Sequence, residues 1–162
     1  MPPDRSHIQK NDLERQRLRV LVAGLSDDEL RAKVNEFWTV AGIFGHIAFW
    51  DARAEFLMRK IQRGEAFTPS DSEPDDPAWL NDSTRGLIHA IPPRALAELA
   101  LQQAEDTDGL AASLEDALLA KTWPNDPGAP VSVNRANHRG EHLDEIAKAL
   151  KNAPQAKRTP AM

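Results

Sequence analysis

Cysteine is absent from all 162 residues, which excludes disulfides, a zinc-thiolate site and a cysteine nucleophile. Any thiol in this protein's chemistry has to come from a second molecule. Basic residues are not in excess either. A formal charge of -5 and a pI near 5.5 deny the chain the positive face with which nucleic-acid binders hold phosphates, so no nucleic-acid partner is expected. No segment supplies the roughly 20 uninterrupted apolar residues of a membrane span, and no positive stretch at the N-terminus precedes an apolar one. The sequence therefore predicts a cytoplasmic protein with no membrane partner. Strand-like alternation, internal repeats and low-complexity tracts are missing too, which leaves an all-α class.

What is present suits one globular domain: 41% hydrophobic and 28% charged residues in a chain long enough to bury roughly 70% of its unfolded surface. Capping boxes at Ser6-His-Ile-Gln9 and Asn11-Asp-Leu-Glu14 place the start of a first helix near Ser6 or Asn11. That helix stops at Gly24, with Ile8, Leu18, Leu21, Val22 and Leu25 on its apolar side. Ser26-Asp-Asp-Glu29 opens a short helix to about Val34. A long helix then runs from the N-cap Thr39 to Gly64, and Ile43, Ile47, Trp50, Ala54, Leu57 and Ile61 recur along it in steps of four and three, as a bundle helix requires. His46 sits beside this row.

The polar stretch 65–77 reads as a long loop of the kind that covers sites. Asp76-Pro77 starts a short helix with Trp79, Leu80, Leu87 and Ile88, and Pro92-Pro93 ends it. A third long helix follows, with Leu96, Leu99, Gln103, Thr107, Leu110, Leu114 and Leu118 at bundle spacing and a polar middle. Residues 123–130 form a proline-rich loop into a fourth helix, 131–152. Residues 1–152 make the single domain, and 153–162 are expected to be a disordered tail.

On the fourth helix Asn134, His138, His142 and Ile146 recur at intervals of four, so a polar half-stripe lies where the continuation is apolar. A buried polar group without a partner costs about 1–3 kcal/mol, so these positions need partners, water or a metal. Gln103 and Thr107 face the same region in this reading. On their own, the two histidines fit a metal site or hydrogen-bonded packing residues equally well. No His-Glu-x-x-His run exists, and Glu141 and Glu145 either orient an imidazole or lie on a solvated face. His7 and His89 read as surface or packing residues. Gly42 and Gly45, inside the opening turns of the second long helix, serve close packing or make room for a substrate beside His46.

The run Trp38-Thr39-Val40-Ala41, then His46-Ile-Ala-Phe-Trp50-Asp51, Asn81, and His138-Arg-Gly-Glu-His142-Leu-Asp-Glu-Ile146 together resemble the DinB-like superfamily. Its members include the N-terminal domain of mycothiol-dependent maleylpyruvate isomerase and the bacillithiol transferases. The resemblance implies a four-helix bundle in up-down-down-up order, with short accessory helices here. It also implies a metal held by one histidine of the second long helix and an His-x-x-x-His pair of the last, which are His46, His138 and His142. A divalent transition metal, zinc or nickel, is then the expected cofactor. A low-molecular-weight thiol is the expected cosubstrate for S-transfer or isomerisation of a small electrophile, in a pocket bordered by Trp50, Gln103 and Asn134. No counterpart of the isomerases' second domain is present, so the resemblance implies the bundle's chemistry rather than that one reaction.

Two other functions remain open at this stage. One is a hydrolase using a metal-activated water, for which no residue stands out as the base; the other is a non-catalytic protein that sequesters a toxic small molecule. A homodimer is expected, since two-fold dimers are the commonest assemblies and Trp79 and Trp123 flank exposed loops.

Overall fold

Four long helices and three short ones make up the computed structural model, which describes residues 1–153. They are α1 (His7–Gly24), α2 (Asp27–Arg31), α3 (Val40–Gln62), α4 (Ala78–His89), α5 (Pro93–Ser113), α6 (Asp116–Leu119) and α7 (Ala136–Asn152), with one 3-10 turn at Pro69–Asp71. No strand occurs among the described residues, and no helix among them is long and apolar enough to cross a membrane. Beyond Ala153, the expected disordered tail lies outside the described residues.

Several starts and stops follow the caps. The Ser26–Glu29 capping box is complete, the Thr39 hydroxyl accepts from the Gly42 N–H at 2.9 Å, and Asp76 accepts from the Ala78 N–H at 2.9 Å. Other expectations need correction. α2 stops at Arg31 rather than Val34, because the Val34 N–H is taken by the Trp38 carbonyl at 2.8 Å. The Ser6 hydroxyl donates to Asp4 instead of capping α1. The fourth helix begins at Ala136, five residues after Val131, because Val131 and Val133 are packed into the core as irregular chain held by a bridge from Ser132 to Trp123.

Side-chain pairs fix the helix directions. Arg19 meets Glu105 and Arg15 meets Asp108, so α1 and α5 are antiparallel. Asn11 meets Ala136 and Arg17 meets Asp144, so α1 and α7 are parallel. Asp51 meets Arg135 at the start of α7 while His46 lies against His142 a turn and more further on, which makes α3 and α7 antiparallel. Gly45 lies against Leu96 and the Asp51 carbonyl against Thr107, so α3 and α5 run parallel. This is the up-down-down-up order. Two parallel neighbours need a connection that travels back along the bundle, and residues 63–92, with α4 packed on α3, provide it.

The core has two apolar halves, one around Leu18, Phe44, Ile47, Ala100, Leu143 and Ile146, the other around Leu57, Met58, Ile61, Leu114, Leu119 and Val131. A polar layer divides them. The α5 face that enters the core is Leu96, Ala97, Ala100, Ala104, Thr107, Asp108, Leu110 and Ala111, whereas Leu99 is 46% exposed. Leu96, Thr107, Leu110 and Leu114 of the expected row are buried as expected, but between Leu96 and Thr107 the core face is Ala97, Ala100 and Ala104 in place of Leu99 and Gln103, and these small side chains let α3 and α5 approach closely. On α1, likewise, Ile8 is exposed and His7 and Asn11 are buried.

Both interior glycines of α3 serve packing. A Cβ on Gly45 would stand 2.5 Å from Ile88 Cγ2 and 2.8 Å from Leu96 Cδ2, and one on Gly42 would collide with the His89 ring. Replacing Gly45 with alanine gains about 1 kcal/mol of helix propensity, but forcing α4 and α5 outward costs about 1–3 kcal/mol. A lower urea midpoint is expected for Gly45→Ala; a higher one would mean that Ile88 and Leu96 move aside freely.

Candidate metal centre

His46 reaches the site from the fourth position before Trp50 on α3, and its ring is flanked edge-on by Trp38 and Trp50 at centroid distances of 5.6 and 6.4 Å. His138 and His142 come from successive turns of α7. The α7 face that enters the core is Ala136, Arg139, Leu143 and Ile146, one residue away from the histidine row, so both imidazoles look into a side cavity rather than into the apolar interior. His138 Nε2 lies 3.2 Å from His46 Nε2 and 3.2 Å from His142 Nε2. One ring atom from each of the three histidines falls within 4.8 Å of the others.

That convergence has a chemical consequence. Glu145 Oε2 lies 3.2 Å from His142 Nδ1; a carboxylate accepts, so this nitrogen carries the proton and Nε2 presents a lone pair. A neutral His138 can make one hydrogen bond through Nε2, yet it faces two Nε2 atoms, and its own Nδ1 is buried without a partner. A cation among the three nitrogens removes the conflict. Nitrogens bound to one transition ion at about 2.0–2.1 Å lie roughly 2.9–3.4 Å apart for octahedral to tetrahedral angles, which matches the spacing of both contacts. The three histidines therefore could hold a metal ion, and the donor set leaves further coordination positions open.

Two of the imidazoles, His46 and His138, are also held in the ligating, neutral form. Burial pushes His46 down to about 4, with His142 adding to the effect. Burial pushes His138 down to about 2, aided by His142, Arg135, His46 and Arg139. Between the ordinary 6.5 and about 4 the unfolded chain therefore takes up protons that the folded chain refuses, so stability present above pH 6.5 is lost on acidification. Urea unfolding of chelator-treated protein should show this loss between pH 7 and 5, at a slope of at most about 1.4 kcal/mol per pH unit for each histidine. The slope should shrink in a His46→Gln/His138→Gln variant; a slope unchanged by that variant would mean that the two rings titrate normally.

Behind the histidines lies the polar layer, which sequence reading missed. Arg139 is 0% exposed. Its Nε donates to Asp51 Oδ2 at 2.8 Å, and its two Nη groups donate to the two oxygens of Asp108, both at 2.8 Å. Arg15 adds a contact to Asp108 at 2.7 Å, and Arg135 Nε one to Asp51 Oδ1 at 2.9 Å. One network thus ties α1, α3, α5 and α7 together immediately beside the three histidines.

A cavity of about 760 Å³ opens in front of the histidines. Trp38, Trp50, Arg53, Asn81, Trp123 and Arg135 contribute to its wall, together with parts of the loops 65–77 and 123–130. Trp50 is therefore at the site, held by an Nε1–H to Asn81 Oδ1 hydrogen bond of 3.0 Å. Gln103 and Asn134 are not. The Gln103 amide is turned to Glu55 and Thr107, and Asn134 precedes α7, where its Oδ1 accepts from the Ala136 N–H at 3.1 Å. Asn11 is the larger cap there, since its Oδ1 accepts from both Arg135 and Ala136 N–H at 2.8 and 3.0 Å. Glu141 is exposed. His7 is buried against the Ala111 carbonyl, and His89 packs on Trp38 with Nδ1 at the Arg85 carbonyl, so neither joins the triad.

No curated protein sequence and no solved structure matches the chain significantly. The family described as the DinB superfamily matches residues 11–146, a span that contains all three histidines and ends at the last buried residue of the α7 core face. By that match over most of its length, with the bundle order and the triad as its structural counterpart, the chain belongs to the DinB superfamily.

Proposed function

We propose that the protein is a metal-dependent transferase that adds a low-molecular-weight thiol to a small electrophile. The single observation that carries a metal-dependent reading is the meeting of three imidazoles at the floor of an open cavity, with His138 Nε2 facing two other ring nitrogens. A divalent ion of the zinc or nickel type, bound there, supplies Lewis acidity that makes a thiol or water ionise near neutral pH. The thiol part of the reading rests on family membership and on the lack of any cysteine in the chain.

The chain's own residues supply the rest. His46, His138 and His142 hold the ion, and Glu145 fixes the His142 tautomer. Trp38 and Trp50 wall the His46 side and keep bulk water from it. The ring of Trp50 is itself locked by Asn81, so the wall is rigid before substrate arrives. No side chain of the cavity is assigned as a general base.

Cobalt-substituted protein tests the reading. Addition of a thiol should produce a sulfur-to-metal charge-transfer band, and the same protein should form adducts between that thiol and an electrophile. If no thiol alters the spectrum while ester, amide or epoxide hydrolysis depends on the metal, the protein is a hydrolase. Tight stoichiometric binding of a toxic metabolite with no turnover would make it a sequestering protein.

A further inference from the structure

The wall of the cavity carries two guanidinium groups, Arg53 and Arg135, and their charges are not answered as those of the other buried arginines are. Arg53 makes no ion pair among the described residues. Its Nη groups donate only to backbone carbonyls, those of Pro130 at 3.3 Å and of Asp71, and its guanidinium lies 5.6 Å from the centre of the Trp50 ring. Of the nearby acids, the Asp71 carboxylate binds Lys60 at 2.7 Å, and Glu73, exposed at the cavity rim, acts on Arg53 through space without forming an ion pair. Arg135 uses Nε for Asp51, whose second oxygen already serves Arg139, and no other hydrogen bond from its guanidinium occurs among the described residues. Across the network three guanidiniums, Arg15, Arg135 and Arg139, share two carboxylates, Asp51 and Asp108. Arg15 has a second carboxylate in Asp12 at 2.6 Å and Arg139 spans both Asp51 and Asp108, whereas Arg135, the member on the cavity wall, has only its share of Asp51.

Half-buried guanidiniums with spare N–H donors bind planar anions in a fork, with charge-assisted bonds about twice as strong as neutral ones. Next to them stand the apolar faces of Trp50 and Trp123. We propose that the cavity receives a small carboxylate-bearing molecule, with its carboxylate at Arg53 and Arg135 and its apolar part against the two tryptophans. The proposal rests on the cavity being the substrate site, but not on the thiol chemistry. The carboxylate can belong to the thiol or to its acceptor.

Two acid–amide pairs separate these sources: 3-mercaptopropionate against 3-mercaptopropionamide, and 3-phenylpropionate against 3-phenylpropionamide. Calorimetric titration of zinc-loaded and chelator-treated full-length protein should show the acid of at least one pair binding about tenfold more tightly than its amide, with or without metal. Preference within the mercapto pair places the carboxylate on the thiol, and preference within the phenyl pair places it on the acceptor. Arg53→Gln should reduce the ratio to near one, and Arg53→Lys should restore part of it. Equal binding in both pairs overturns the proposal. A preference seen only with zinc, which assigns the carboxylate to the metal, or one that persists in Arg53→Gln, overturns it as well. Should Arg53→Gln fail to fold, the wild-type acid–amide ratios without metal still decide. A charge-transfer band without any acid preference leaves thiol chemistry standing and this proposal refuted; acid preference with no thiol reaction does the reverse.

Discussion

Replacement of His138 and His142 by alanine is expected to abolish metal binding while leaving the bundle folded. Wild-type protein, purified without an affinity tag and reconstituted, should retain about one ion per chain, and the double variant only background, when measured by elemental analysis after dialysis. Glu145→Gln should weaken binding by the roughly 10–100-fold typical of a lost partner to a ligating histidine. Helical circular dichroism should persist in the double variant, because α7 is held by Leu143, Ile146 and Arg139, not by the histidines. Removing two of three crowded nitrogens also relieves a contact that the metal-free protein cannot satisfy with protons. Full metal occupancy in the variant would place the ion elsewhere, and global unfolding would make the imidazoles structural.

Arg139→Ala is expected to be the most damaging single change to stability. It leaves one Asp51 oxygen and one Asp108 oxygen without a partner, and takes Arg139's bond from the other Asp108 oxygen, in the middle of the core. Breaking a buried ion pair from one side costs about 3–5 kcal/mol, a fall of roughly 10 °C in Tm for a domain of this size. Arg139→Met, which keeps most of the volume, should be nearly as harmful, because the cost lies in the stranded carboxylates; a stable methionine variant would show that packing alone holds the layer. Arg85→Ala, which removes an exposed pair with Asp82, should change stability by less than about 1 kcal/mol. Thermal melts of the three variants side by side decide the matter.

The four long helices were legible because their ends carry local chemistry, such as the Ser26 box and the Thr39 cap, and because Ile43 to Ile61 repeat as a bundle helix must. The triad was legible because histidines at spacing four share a face and because family resemblance supplied His46. The arginine network was not, since charged residues on a helix ordinarily mark its wet side. A trace of it exists in the sequence. Asp108 follows Ala100 and Ala104 at the interval of the buried alanine face, and Arg139 stands between Ala136 and Leu143 in steps of three and four, so each charge interrupts an apolar row. The roles of Asn134 and Gln103 could not be read from periodicity. Asn134 lies before the first turn of α7, where helical spacing has no meaning, and Gln103 prefers Glu55 on the neighbouring helix, a contact that depends on how α3 and α5 are rotated.

Synthesis proceeds from the N-terminus, and the polar layer sets a condition on it. Asp51 leaves the ribosome 88 residues ahead of Arg139, and Asp108 precedes it by 31. A nascent chain that has emerged only through α5 holds both carboxylates on the surfaces α3 and α5 would bury, with Arg15 alone to answer them. Ionised groups of that kind keep their water. The first three long helices can associate loosely, but their centre stays wet until α7 brings Arg139, and the three imidazoles meet in the same event that dries the core.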